Sequence, residues 1–250
     1  MKDKTNSYNI VLYALLVFAL SGLLVLLQSV FAAAGGYWVV FPQFAPALTV
    51  FFLFLVRRRK GGLFDKKRRL GINKKVLAYS VCAALFVFIV FGSFGCVLAA
   101  FEKPVLQWET PSLAIGFICM LVGCITEEIG WRGFLLPALN RRFSLIVSSL
   151  LVGVLWGAWH LDFGDGVVGF LVTILFMAAL SVIISWMQIK NGGSIIPAIV
   201  LHFFVNFFAR STLFDMSLTA HFMLALVLGI CGAILFFADR KTFMSKENAA

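Results

Sequence analysis

Charge is the scarcest property of this chain. Of its 250 residues only 13% are charged, eleven of them acidic, while 62% are hydrophobic. A soluble domain of this size needs far more polar cover, so that class is excluded. Histidine is rarer still: His160, His202 and His221 are all there are, and any imidazole chemistry must come from them. The five cysteines (Cys82, Cys96, Cys119, Cys124 and Cys231) are odd in number, lie in apolar runs and form no CxxC pair. They read as small buried thiols, which leaves out a disulfide framework and a cysteine metal cluster. The chain has no internal repeat and no low-complexity segment. The net charge of +10 is no nucleic-acid footprint either, because ten of the 21 basic residues fall in the one stretch from Arg57 to Lys75. A basic loop between two apolar runs is the mark of a cytoplasmic membrane loop.

What the chain has in abundance is apolar sequence, with a mean hydropathy of +1.00 and 28 phenylalanines. A membrane span needs ~20 apolar residues. On that rule there are eight candidates: Tyr8–Ala34, Trp38–Val56, Val76–Phe101, Ser112–Leu139, Ser144–His160, Val167–Met187, Ser194–Ala209 and Leu218–Ala238. The first is too long for the apolar core of a signal peptide and reads as a retained helix. The expected fold is all-α: a polytopic bundle of about eight transmembrane helices. It divides into N-terminal helices with the basic loop (1–111), a core (112–209), and a last helix with its tail (210–250).

Lys and Arg in short loops orient such a bundle. Lys2 and Lys4, the Arg57–Lys75 loop, Arg141 with Arg142, Lys190, and Arg240 with Lys241 and Lys246 all fall on one side of the alternating spans. The opposite loops hold little basic charge: Lys103 beside Glu102 and Glu109, Arg210, and none at Gly35-Gly36 or beside Asp162 and Asp165. The expectation is a plasma-membrane protein with both termini cytoplasmic and the entrance to any internal site on the cytoplasmic side.

Against this background Thr126-Glu127-Glu128-Ile129-Gly130-Trp131-Arg132-Gly133 stands out. Glu127 and Glu128 are the only acids within a hydrophobic segment, and Arg132 is the only base so placed. Each ionised group at membrane depth costs at least ~2.5–3.5 kcal/mol on insertion scales, so three together need a reason. Glu128 and Arg132, at i and i+4, can form a salt bridge; Glu127 points about 100° away round the helix. Helix arithmetic puts Glu127, His160, His202 and Asn206 within the membrane, at depths between ~12 and ~24 Å. One acid, two imidazoles and an amide from three spans make a convergent polar site. His221, at the start of the last span, reads as an interfacial residue.

The chemistry open to such a set is hydrolysis. An apolar pocket makes a carboxylate a stronger proton acceptor, and Glu127 has no evident cation, so it suits a general base acting on water. His160 can share that task, and His202 with Asn206, one turn apart, can donate to a developing oxyanion. Alternatively Glu127, His160 and His202 are an adequate ligand set for a catalytic Zn²⁺ or another divalent metal. The residues alone do not choose between the two. A non-catalytic scaffold or bacteriocin self-immunity protein, in which the same groups only bind, is a competing reading. A proton-coupled transporter using Glu127 as a relay is another, although the helices show no repeat symmetry.

Three segments resemble motifs of the CAAX-protease and bacteriocin-processing (CPBP, or Abi) family of intramembrane proteases. Glu127-Glu128-Ile129-Gly130-Trp131-Arg132 resembles its EExxxR signature, Trp156-Gly157-Ala158-Trp159-His160 its second motif, and His202 with Asn206 its HxxxN motif. The resemblance covers residues ~112–209. It implies an eight-helix fold and peptide-bond hydrolysis in the membrane, on a membrane-associated peptide or protein. It also implies roles: Glu127 with His160 activates water, His202 and Asn206 stabilise the oxyanion, and the Glu128–Arg132 pair is structural. A metal is an open question for the family as it is for these residues.

Overall fold

A computed structural model describes residues 2–33, 40–57, 69–101, 113–210 and 217–246. Most of the basic stretch (58–68), Gly35 and Gly36, and Glu102, Lys103 and Glu109 lie outside these residues, as does the 111/112 boundary. Among the described residues every regular element is helical. Helix α1 is Lys2–Ala33; a short 3₁₀ turn, Phe41–Phe44, leads into α2, Ala45–Arg57; and α3 is Lys74–Phe101. Helix α4 starts as Leu113–Glu128, loosens into a π-helical stretch, Ile129–Leu135, and closes with Leu136–Asn140. Then follow α5 (Leu145–Trp159), α6 (Gly166–Lys190), α7 (Ile196–Arg210), α8 (Leu218–Ala238) and the short α9 (Arg240–Phe243).

The described parts of the apolar runs are helical, because uninterrupted apolar sequence in lipid must satisfy its backbone internally and does so as helix. The chain is an all-α polytopic membrane protein. Four stretches, Asn9–Phe31, Lys74–Cys96, Gly166–Lys190 and Leu218–Ala238, are long and apolar enough to cross a bilayer by length and composition. Helices α2, α5 and α7 are apolar but shorter. Exposed Leu, Val, Ile and Phe crowd the outer faces of α1, α2, α3, α6 and α8, as a lipid-facing surface requires.

Packing is densest where α5 meets α6, and small residues allow it. A Cβ on Gly157 would stand 2.6 Å from the Ile174 Cα, a backbone atom that cannot step aside. One end of the bundle is stitched by polar contacts between loops. Arg69 Nη1 donates to the Gly193 carbonyl (3.1 Å), Ile195 N to the Arg69 carbonyl (2.9 Å), and Leu145 N to the Ser245 carbonyl (2.9 Å). Lys190 Nζ meets Asp239 Oδ2 at 3.0 Å, and Trp186 Nε1 donates to the same oxygen at 3.0 Å. The Trp186 and Lys190 hydrogen bonds hold the Asp239 carboxyl well below the ordinary carboxylate range. Since the helices alternate in direction, Arg141, Arg142, Lys190, Arg240 and Lys241 share this basic end.

Candidate active site

The site is built where α4 departs from regular geometry. At the junction of α-helix and π-helix the Leu136 N–H reaches back to the Trp131 carbonyl, an i to i−5 bond. Such single-turn π segments commonly accompany functional positions. Glu127 and Glu128 sit just before the stretch and Arg132 within it, all essentially without solvent exposure.

The two adjacent carboxylates serve different neighbours. Glu128 Oε1 accepts from Arg132 Nη1 at 2.9 Å and lies 3.0 Å from His202 Nδ1. Glu127 takes two N–H donors, one on each oxygen: Gln43 Nε2 on Oε1 at 3.0 Å and Trp156 Nε1 on Oε2 at 2.9 Å. Trp156 is the hub of the arrangement. Its indole N–H holds Glu127, its face lies 4.1 Å below the Arg132 guanidinium carbon, and its ring meets His202 edge-on with centroids 5.0 Å apart. Its backbone carbonyl is 2.8 Å from His160 Nδ1. A carbonyl can only accept, so His160 Nδ1 carries the proton and Nε2 is the basic nitrogen of the neutral ring.

Gln43 reaches Glu127 because of what is missing opposite it. The 3₁₀ turn docks through Thr126, whose Oγ1 is 2.8 Å from the Gln43 carbonyl. The Gln43 amide then lies across Gly123, where any Cβ would collide with it. His160 follows the last residue of α5, and the next residue, Leu161, turns the chain with φ of 47°. That left-handed conformation normally falls to glycine, and a leucine there is strained.

Glu127, His160, His202 and Asn206 all line one cavity of about 650 Å³. Glu128 and Arg132 do not line it; they stand behind it, buried. Asn206 Nδ2 has only a soft partner, the Cys124 sulfur at 3.5 Å. Sequence reasoning passed over several cavity residues: Gln43, His221, Asp162 and Asp165. The available signal for His221 was its place at the same end of the bundle as His160. It was given to the interface instead, and its ring packs edge-on against Phe176 at 4.9 Å. In the sequence Trp156 shows only as part of a motif, and the i, i+4 spacing pairs Glu128 with Arg132 but does not reveal its second contact to His202.

The residues named for a metal, Glu127, His160 and His202, all line this cavity. Each Glu127 oxygen accepts one N–H donor, while His202 Nδ1 lies against Glu128 and His160 Nδ1 against the Trp156 carbonyl, contacts that a ligating histidine also keeps. Among the described residues no three His, Cys, Asp or Glu side chains are grouped to hold an ion. The entrance also differs from the expectation. The cavity opens at the end of the bundle remote from Arg141, Lys190 and Arg240, beside the exposed His160, Leu161, Asp162 and Asp165, and not on the side of the basic loops.

Comparison with known proteins bears on the same residues. Residues 108–208 match the family described as type II CAAX prenyl endopeptidase Rce1-like. The chain is also similar to CAAX prenyl protease 2 of Methanococcus maripaludis, with 30% identity over 166 residues. That alignment covers 61% of this chain and 60% of the relative.

Proposed function

We propose that this chain is a CAAX-protease and bacteriocin-processing family protein, as the similarity of residues 108–208 and of the relative supports, and that the cavity hydrolyses a peptide bond of a membrane-associated peptide or protein. The observation that carries this reading is the convergence of Glu127, His160, His202 and Asn206 on a single cavity. Glu127 is the general base: it takes a proton from a water whose oxygen attacks the scissile carbonyl carbon. His160, with Nε2 free for the cavity, orients that water, and the proton taken by Glu127 passes through this nitrogen to the amine as the C–N bond breaks. Gln43 and Trp156 hold the Glu127 carboxylate in one orientation. His202 and the Asn206 amide donate to the oxyanion, Asn206 exchanging its weak sulfur contact for the stronger acceptor. Glu128 and Arg132 act from behind as a fixed counter-charge. The charge asymmetry of the loops supports a cell-membrane protein with cytoplasmic termini. Residues 112–209 are the catalytic core, with the flanking helices around it.

The test uses purified protein in detergent or liposomes with a peptide library. The expected outcome is cleavage by the wild type, a loss of about 10²–10⁴-fold in Glu127→Ala, and activity retained with 1,10-phenanthroline. Loss with the chelator and recovery on adding Zn²⁺ would overturn the glutamate-only mechanism. No cleavage by the wild type would move the scaffold or immunity reading ahead of it.

A further inference from the structure

We propose that the cavity is entered from the extracytoplasmic side of the membrane, and that what it receives is a peptide segment presented at that face; the nature of what enters rests on the proteolytic reading above, and the direction of entry on where the cavity opens relative to the basic loops.

Two independent features carry this. The first is where the cavity opens. Its walls come from the later half of α1, the lead-in to α2, the C-terminal ends of α5 and α7, and the N-terminal turns of α6 and α8. All of these are the ends away from the basic loops. At the rim stand Asp162 and Asp165, both exposed. Among the described residues Arg210, closing α7, is the basic exception at this end. Arg141, Arg142, Lys190, Arg240 and Lys241 sit at the other, and short-loop Lys and Arg mark the cytoplasmic side.

The second feature is what closes the other end. Between Glu127 and the basic end lies a layer of fully buried side chains: Glu128, Trp131, Arg132, Leu135 and Trp156, each at 0% exposure. Two charged groups, two indoles and a leucine packed this tightly leave no passage for a peptide. Helix α5 runs ~22 Å from the basic end to the mouth at 1.5 Å per residue, so a substrate at the cytoplasmic face is separated from His160 by most of a membrane thickness. A lipidated tail held in the cytoplasmic leaflet therefore meets the plugged end. A loop, terminus or secreted peptide lying at the outer leaflet meets the open one.

The experiment needs no activity. In a full-length background with the five native cysteines replaced, single cysteines are placed by Asp165→Cys and Val25→Cys, both lining the cavity, and by Lys246→Cys at the basic end. A charged, membrane-impermeant maleimide is applied to intact cells and to opened cells. The expected result is equal labelling of Asp165→Cys and Val25→Cys in both preparations, with Lys246→Cys labelled several-fold more once the cells are opened. The reverse pattern, or cavity cysteines that react only after opening, would overturn the proposal. Should Val25→Cys fail to accumulate, the exposed Phe163→Cys replaces it. A peptidase assay on the labelled protein separates the two readings. External labelling of Val25→Cys that abolishes cleavage supports both; outside labelling with no cleavage even in the unlabelled protein keeps the direction of entry and removes the proteolytic reading.

Discussion

At the scale of single residues the site is a set of fixed orientations. Glu127 is placed by two donors, and removing one should leave the carboxylate partly free. Gln43→Ala is therefore expected to lower kcat/KM by about 10- to 150-fold, the equivalent of one hydrogen bond to a charged group at ~1.5–3 kcal/mol. Its unfolding temperature should move little, and a matched pair of peptidase and melting assays checks both. The Glu128–Arg132 pair should behave in the opposite way. Arg132→Ala leaves a carboxylate buried beside His202 with its strongest partner gone, and a broken buried pair costs roughly 3–5 kcal/mol. Thermal unfolding in detergent should show a large loss, and a further Glu128→Gln change should recover part of it. Glu127, His160, His202 and Asn206 were legible in the sequence because polar side chains are conspicuous in apolar runs. Gln43 was not, since one glutamine near a helix start violates nothing. What gives it a role is the bare surface of Gly123, which only the folded chain brings beneath it.

At the scale of elements, the helices were readable because length and hydropathy leave lipid-embedded backbone no other choice. The π stretch in α4 was not, because α- and π-helix draw on the same residues and differ only in which carbonyl each N–H reaches. The α5–α6 contact offers a direct test of close packing. Gly157→Ala places a methyl against the Ile174 backbone, so the helices must part, at a cost of about 1–3 kcal/mol. The expected readout is a lower unfolding temperature together with reduced activity, because His160 lies at the end of the displaced helix. An alanine tolerated without loss would mean that α5 and α6 sit further apart than described.

On the scale of the whole molecule, the direction of the cavity escaped the sequence for a definite reason. Loop charges report which end of a bundle faces the cytoplasm, but not which end is plugged, and the plug is a matter of how Trp131, Arg132 and Trp156 pack. The division at residue 111/112 likewise cuts across contacts, since Gln43 and Ser21 on one side bond to Glu127 and Trp159 on the other. A protein reduced to residues 108–208 is expected to lose cleavage entirely. Supplying residues 1–107 as a separate chain should restore part of it; co-expression followed by the peptidase assay decides. The same arrangement has a consequence for diversification. The reacting groups are written in one part of the gene, while much of the gate (α1 and the lead-in to α2) is written in another, joined to the first through Gln43. Recombination that exchanges the front of the chain with that of a relative can thus change which guests are admitted while leaving the reacting groups as they were, provided a glutamine still arrives at Gly123.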